Sequence, residues 1–143
     1  MGSTTVNQEA IFWPIIALVA LTFAVAPQIL IRRVKAAFEG TVGPKDFRGG
    51  ESARVPADVA IPNRNYMNLL ELPILFYLVC VCLFVTKHVT PVDVGLAWVF
   101  TGLRLIHSIV HLTYNNVLQR LIIFNLGAFV LIALWIRFAL ALL

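Results

Sequence analysis

The sequence predicts an all-α integral membrane protein, a four-helix bundle of transmembrane helices that forms one domain over residues 1–143. Hydrophobic residues make up 60% of the chain, charged residues only 13%, and the mean hydropathy is +0.89. An average soluble domain is about 45–50% apolar and about 25% charged. Four apolar runs are each long enough to cross a bilayer core of about 30 Å. With short connections they use most of the chain, so a separate soluble domain is not expected.

The first span is expected from Ile11 to Ile31, because this apolar run has an aromatic residue at one end and basic residues at the other. Trp13 lies near its start. Arg32, Arg33 and Lys35 follow its end. Basic residues at such a position anchor a helix at a membrane interface. The run is longer than the apolar core of a cleavable signal peptide, and no basic residue precedes it. We therefore expect a retained helix.

A polar loop is expected from Gly40 to Pro62, where glycine, proline, serine and charged residues interrupt the apolar pattern. The other three spans are expected at about 65–85, at about 92–114 and from about 118 to the C-terminus. Thr90-Pro91 separates the second span from the third. The turn-forming Tyr114-Asn115-Asn116 sequence separates the third span from the fourth.

The distribution of basic residues predicts the orientation in the membrane. The loop after the first span and its edges carry Arg32, Arg33, Lys35, Lys45, Arg48, Arg54 and Arg64. Lys87 stands almost alone on the opposite side. The positive-inside rule then places the long loop in the cytoplasm and both termini outside. Because the net charge of +4 has this topological explanation, nucleic acid is not expected as a partner.

Ionisable side chains within or at the ends of the apolar spans predict a functional site. Each costs at least about 2.5–3.5 kcal/mol at the bilayer centre on insertion scales, so several together must face each other, water or a ligand. On the second span Arg64, Asn68 and Glu71 are spaced i, i+4, i+7, which places them on one helical face. The structural alternative is an ion pair between Arg64 and Glu71 that caps the cytoplasmic end of this span.

The third span carries a second polar face, formed by Arg104, His107 and His111 at i, i+3, i+7. This face can lie against the polar face of the second span. Two histidines at i, i+4 can ligate zinc, but Glu71 is the one further ligand expected nearby. A metal site is therefore not expected, and the histidines are interpreted as hydrogen-bonding or ligand-contacting groups.

The fourth span has an arginine near each end. Arg120 serves either as an interface anchor or as a fixed positive charge that holds an anion or stabilises a thiolate beside a dry pocket. Arg137, near the other end, is expected to extend outward to water. Phe124 lies one turn inside Arg120, where it belongs either to the core or to a pocket wall.

Together the cytoplasmic halves of the spans offer a set of polar side chains for a ligand: Arg32, Arg64, Asn68, Glu71, Arg104, His107, His111 and Arg120. The set is cationic overall but includes one carboxylate. Guanidinium groups bind carboxylates bidentately, and a carboxylate accepts hydrogen bonds from an ammonium group. The set therefore suits a small zwitterionic ligand with excess negative charge, and a tripeptide such as glutathione has this charge pattern.

These residues resemble those of the membrane-associated proteins in eicosanoid and glutathione metabolism, the MAPEG family. The segment Arg64-x-x-x-Asn68-x-x-Glu71, followed closely by Pro73, is similar to the second-helix motif of that family. Arg104-x-x-His107 together with Arg120 resembles the third and fourth helices of its microsomal prostaglandin E synthase and glutathione transferase branch. Arg32 is similar to the basic end of the first helix. The resemblance covers nearly the whole chain.

The resemblance implies a homotrimer with three glutathione sites between adjacent subunits, open to the cytoplasm. Arg64, Asn68 and Glu71 would hold glutathione. The remaining members of the polar set, Arg32, Arg104, His107 and His111, would line the site. Arg120 would take the catalytic role, lowering the pKa of the thiol so that the thiolate attacks a lipophilic electrophile from the bilayer. This chain has His111 and Phe124 where family members often carry tyrosine.

The leading hypothesis is therefore a glutathione-dependent transferase or peroxidase that acts on lipophilic electrophiles, as in detoxification. The main alternative is a non-catalytic membrane scaffold or ligand-binding protein of the same fold, in which the polar residues serve assembly. Polar side chains between membrane helices contribute about 0.6 kcal/mol each on average. A small transporter is less favoured, because the spans lack paired broken helices. The simple chain start and the absence of a C-terminal retention signal favour a bacterial inner membrane over the endoplasmic reticulum.

Overall fold

A computed structural model describes residues 7–143. Its α-helices are α1 (Phe12–Phe38), α2 (Ala57–Leu70), α3 (Leu72–Val85), α4 (Pro91–Leu112) and α5 (Val117–Ala141). Four helical stretches are long and apolar enough to cross a membrane: Gln8–Phe38, Ala57–Val85, Pro91–Leu112 and Val117–Ala141. The predicted all-α bundle of four spans is confirmed.

Helix α1 is longer than expected, since it continues past the basic residues to Phe38. Arginine, lysine and alanine are good helix formers, so the charges after Ile31 mark the membrane interface but do not end the helix. The helix ends where Gly40 adopts a positive φ of 72°. There the Thr41 N–H donates to the Ala36 carbonyl at 3.0 Å, as in a Schellman cap. The helix therefore continues about two turns past Ile31, and the polar loop begins after it near Gly40.

The second span differs from the prediction in two ways. It begins at Ala57, within the expected loop, and it is interrupted at Glu71, where φ is −79° and ψ is −88°. Pro73 lies in the first turn of α3, where a missing N–H is tolerated. Within a continuous helix the same proline would remove a hydrogen bond to the preceding turn. The break therefore separates the polar half of the span, α2, from its apolar half, α3.

Helix α4 lies at the centre of the bundle and packs against α1, α2 and α5. The apolar core on α3 and α4 includes the stacked rings of Phe76 and Phe100, whose centroids are 4.5 Å apart. Large apolar side chains on the outer helices are exposed, among them Trp13, Phe23 and Phe129, as expected for a surface that faces lipid. The polar face of α4 lies on the side that packs against α1, α2 and α5, whereas its opposite side exposes apolar residues such as Val99 and Ile106.

The N-terminal end of α4 and the C-terminal end of α5 are joined by an ion pair that the sequence did not predict. Arg137 was expected to extend outward, but its Nε donates to Asp93 Oδ1 at 2.6 Å and its Nη2 donates to Thr90 Oγ1 at 3.0 Å. The Thr90 N–H and hydroxyl donate to Asp93 Oδ2, which completes the N-terminal cap of α4. The prediction for Arg137 was wrong because a buried carboxylate lies within its reach.

The long loop contains Asp46, whose hydrogen bonds predict that the stability of the folded loop depends on pH. Asp46 accepts from the Gly43 N–H at 2.9 Å and from the Ser52 hydroxyl at 2.8 Å. The Gly43 hydrogen bond, followed by that of Ser52, lowers the pKa of Asp46 below its ordinary value of 3.8. A carboxylate with a lowered pKa stabilises the folded loop above the ordinary pKa, and this contribution is lost as pH falls through the lowered value.

We therefore expect amide hydrogen exchange at residues 43–52, corrected for intrinsic rates, to accelerate as the pH falls below the ordinary pKa of Asp46. In Asp46→Asn the exchange should already be faster at neutral pH and should no longer depend on pH in this range. The same pH dependence in both proteins would show that Asp46 does not hold the loop.

Candidate functional site

The two predicted polar faces are placed differently by the structure. Arg104 and His111 are 1% exposed and His107 is 4% exposed, so the polar face of α4 is buried. On α2, in contrast, Arg64 and Glu71 are exposed and Asn68 is half-buried. Within one chain the two faces therefore meet only where Asn68 and His107 line a shared cavity.

The buried face of α2 is one position away from the predicted one. It carries Asn65 at 0% and Leu69 at 2% exposure, spaced i, i+4. The proposed ion pair between Arg64 and Glu71 is also wrong. The ion pairs within residues 7–143 are Arg33–Glu51, Lys35–Glu39 and Arg137–Asp93. The Glu71 N–H still donates to the Met67 carbonyl at 3.1 Å, so Glu71 keeps its helical position. It lies two turns, about 10.5 Å along the helix axis, from Arg64, and both side chains are exposed and make no ion pair with each other.

A cavity of about 190 Å³ forms where α2, α4 and the start of α5 meet. Its lining residues are Asn68, His107, Val117, Arg120, Leu121 and Phe124. The cavity, here called the Arg120 pocket, brings Asn68, His107 and Arg120 of the predicted set together. Phe124, which the sequence left as either core or pocket wall, forms part of its lining.

Arg120 is positioned by the turn between α4 and α5. Its Nη1 donates to Asn115 Oδ1 at 2.7 Å, and Asn115 adopts a positive φ of 50°. Asn116 caps α5 by accepting from the Gln119 N–H at 3.0 Å. The Nε of Arg120 is buried and has no partner among residues 7–143. One side of the guanidinium is thus held by the turn, while Nε remains able to donate to a ligand.

Arg104 is enclosed behind the Arg120 pocket. Its Cζ lies 5.1 Å from the centroid of the Phe100 ring and 4.8 Å from that of Phe124. Its Nη2 donates to the Phe124 carbonyl at 3.1 Å. The cation–π contact with Phe124 and the hydrogen bond to its carbonyl join α4 to α5, whereas the contact with Phe100 lies within α4. In this arrangement Arg104 positions Phe124, and it is not itself part of the pocket lining.

Gly127 provides the space that the Arg104 guanidinium occupies. A Cβ on Gly127 would lie 2.4 Å from Arg104 Nη2 and 3.2 Å from its Cζ and Nε. Arg104 cannot move away freely, because two rings and a carbonyl surround it. Gly127→Ala should therefore destabilise the protein by about 1–3 kcal/mol, the range for overpacking a filled interior.

Gly102→Ala is a matched control for this prediction. Gly102 lies within α4, and a Cβ there meets nothing within 4 Å. This change should stabilise the protein by about 0.5–1 kcal/mol through higher helix propensity. Thermal unfolding in detergent measures both variants. Equal shifts in the two would contradict the close packing of Arg104 against Gly127.

The two histidines of α4, His107 and His111, lie side by side, and only His107 lines the Arg120 pocket. Their rings are perpendicular, with centroids 5.8 Å apart, and His107 also lies 6.0 Å from the Phe124 ring. His107 lines the Arg120 pocket, whereas His111 is enclosed behind it. In the described part of the chain, no three His, Cys, Asp or Glu side chains are grouped as a metal site would require.

Arg32 lies in a different cavity from Arg120. Its Nη1 donates to the Asp58 carbonyl at 2.8 Å, and it lines a cavity of about 480 Å³ together with Lys35 and Glu39. Within one chain, Arg32, Arg64 and Glu71 therefore stay outside the Arg120 pocket. Four buried polar residues were not predicted: Asn65, Asp93, Thr101 and Ser108. Ser108 could have been found, because it is spaced i+4 from Arg104.

The comparisons with known proteins identify the family. Residues 11–140 match the model of the MAPEG family. A search of curated proteins and a search of solved structures each gave no significant match. The family match covers nearly all of the four membrane-spanning stretches and the whole Arg120 pocket. The chain therefore belongs to the MAPEG family and is an integral, multi-pass membrane protein.

Proposed function

We propose that this protein is a glutathione-dependent transferase or peroxidase that acts on lipophilic electrophiles within the membrane. Members of the MAPEG family generally use glutathione. The observation that carries the proposal is the Arg120 pocket, in which a guanidinium, an imidazole and an amide meet beside apolar walls. This donor set fits an anionic sulfur ligand.

Arg120 is proposed to stabilise the thiolate form of bound glutathione. A thiolate is the reactive form of a thiol, and a nearby arginine favours it by lowering the pKa of the thiol. Val117, Leu121 and Phe124 keep the pocket apolar, which strengthens the electrostatic effect of a fixed charge. His107 and Asn68 offer hydrogen-bonding groups to the polar parts of the ligand.

The remaining residues of the predicted set are proposed to complete the site across a subunit interface. A cavity of about 190 Å³ is smaller than ligand pockets usually are, at about 300–1,000 Å³. Arg64 and Glu71 are exposed, and Arg32 lies in a separate cavity. In a homotrimer these side chains of one subunit can add carboxylate- and ammonium-binding groups to the Arg120 pocket of the next.

The pocket also supports entry of the electrophile from the bilayer. Val117 is 74% exposed and Leu121 is 57% exposed, so the apolar wall continues onto the surface that faces lipid. The positive-inside rule supports a cytoplasmic position for the long loop and the glutathione side of the pocket. We propose a bacterial inner membrane as the location.

Glutathione titration of the purified protein in lipid nanodiscs tests the proposed function. We expect saturable binding. Asn68→Ala should weaken binding about tenfold, because the loss of one hydrogen bond to a charged ligand group costs about 1.5 kcal/mol. Asn125→Ala is the matched control: Asn125 is an exposed residue of α5 whose Nδ2 donates to the Leu121 carbonyl at 2.7 Å. Absence of saturable binding would support the non-catalytic scaffold instead.

A further inference from the structure

Polar side chains are buried in α2 and α4 where a membrane-spanning bundle would ordinarily have an apolar core. This group, the interior polar cluster, consists of Asn65, Arg104, His107, Ser108 and His111, and no member is more than 4% exposed. Nine of their side-chain nitrogen and oxygen atoms are buried without a hydrogen-bond partner among residues 7–143. Neither Asn65 nor Ser108 takes part in the site proposed above.

Helical spacing aligns most of this cluster. Arg104, Ser108 and His111 follow one another at i, i+4, i+7 along α4. Asn65 is buried on α2, which packs against α4. His107 belongs both to the cluster and to the wall of the Arg120 pocket. The cluster therefore extends from the pocket into the interior and along α4 toward its C-terminal end.

The polar atoms of the interior polar cluster need hydrogen-bond partners, because a buried polar atom without one destabilises the protein. In native proteins such atoms are nearly always hydrogen-bonded to protein or to ordered water. Nine unpartnered atoms in one region are therefore unusual. A neighbouring subunit cannot reach atoms that their own protomer covers, and lipid chains carry no hydrogen-bonding groups. A small polar molecule within the bundle can supply these partners.

We infer that ordered water molecules lie in the interior polar cluster, bound by Ser108, His111 and Asn65, and that they carry protons between the Arg120 pocket and the cytoplasmic end of α4. A buried water typically makes about 3 hydrogen bonds, so about three waters would satisfy the cluster. Hydroxyl groups, amides and neutral imidazoles each offer both donors and acceptors to such waters.

The proton-carrying role rests on the proposed function. When Arg120 stabilises the thiolate, the S–H bond breaks, its electron pair stays on sulfur, and one proton must leave the pocket. His107 accepts that proton on one ring nitrogen and releases another proton from its second ring nitrogen to water. The water passes the proton by way of His111 to the cytoplasm. One proton leaves for each thiol ionised, and no oxidant or reductant takes part.

A high-resolution experimental structure of the assembled protein tests the water sites without glutathione. We expect ordered water within hydrogen-bonding distance of Ser108 Oγ and of a His111 ring nitrogen. Ser108→Ala should lose the water beside residue 108. A structure in which the cluster side chains bond directly to one another, with no water among them, would overturn the inference.

Stopped-flow measurement of glutathione thiolate absorbance tests the proton route. Ser108→Ala should slow thiolate formation about tenfold, which is less than the 10²–10⁴-fold typical of losing a catalytic acid or base. Glutathione affinity and the final thiolate level should be unchanged, because the hydroxyl does not line the pocket. Asn65→Leu should slow thiolate formation in the same way. Because Asn65 lies on α2, this variant disrupts the proposed water sites independently of Ser108→Ala.

Thr101→Val is the matched control for the kinetic test. Thr101 is a buried hydroxyl residue on the same helix, but its Oγ1 already donates to the Pro14 carbonyl at 3.1 Å. Its substitution should leave the rate unchanged. An unaltered rate in both Ser108→Ala and Asn65→Leu would overturn the proton route. If the unaltered protein formed no glutathione thiolate, both the proposed function and the proton route would be overturned. The high-resolution structure would then be the remaining test of whether water occupies the cluster.

Discussion

Replacing Arg137 by methionine is expected to lower the free energy of unfolding by about 3 kcal/mol, the lower end of the range for breaking a buried ion pair. Asp93 is 1% exposed, so without Arg137 its carboxylate would keep only the hydrogen bonds from Thr90. The estimate is at the lower end because the Arg137 side chain is 37% exposed. For a chain of this size the melting temperature should fall by about 10 °C.

The double variant Asp93→Asn with Arg137→Met separates loss of packing from loss of charge pairing. Removing the carboxylate together with its partner leaves no unpaired charge, so most of the stability should return. Arg48→Met, at an exposed loop arginine, should have an effect within about 0.5 kcal/mol. Thermal unfolding in a single detergent compares all three. A double variant less stable than Arg137→Met would contradict the role assigned to this ion pair.

Hydropathy and turn signals were sufficient to predict the number and approximate positions of the spans. The Thr90-Pro91 and Tyr114-Asn115-Asn116 signals both mark observed boundaries, because capping and turn formation depend on neighbouring residues. The break at Glu71 was not predicted. Pro73 is compatible both with the start of a new helix and with a kink in a continuous one, and packing decides between them.

The orientation of each helical face was less predictable than its composition. Spacing shows which residues share a face, but which face is directed inward depends on the neighbouring helices. On α4 the polar face is inside because it lies on the side that packs against three helices, and the apolar side is exposed. On α2 the inward residues are Asn65 and Leu69, so Arg64 and Glu71 are exposed. Arg137 and Asp93 are 44 residues apart in sequence, and only the tertiary packing brings them together.

Replacing Arg120 by alanine is expected to have the largest effect on activity. The guanidinium is the proposed source of thiolate stabilisation, and its loss should return the pKa of the bound thiol toward about 8.5, the value of a free thiol. In Arg120→Ala the thiolate fraction at neutral pH should therefore fall, and the thiolate should form only at higher pH. Loss of one such electrostatic donor lowers the turnover number by about 10²–10³-fold.

Arg120→Lys and Arg48→Ala are the controls for this change. Lysine keeps the charge but lacks the planar group that both holds Asn115 and points into the pocket, so an intermediate thiolate fraction is expected. Arg48 is an exposed loop arginine, and its replacement should leave the thiolate unchanged. Cys80 and Cys82 are free thiols, so each spectrum is taken as the difference with and without glutathione.

The glutathione-dependent thiolate absorbance of the unaltered protein and of Arg120→Ala, recorded against pH, tests the central claim most directly. We predict a thiolate at neutral pH in the unaltered protein and its displacement to higher pH in Arg120→Ala. A thiolate of the same size and pH dependence in both proteins would contradict the assignment of Arg120 and of the pocket it lines.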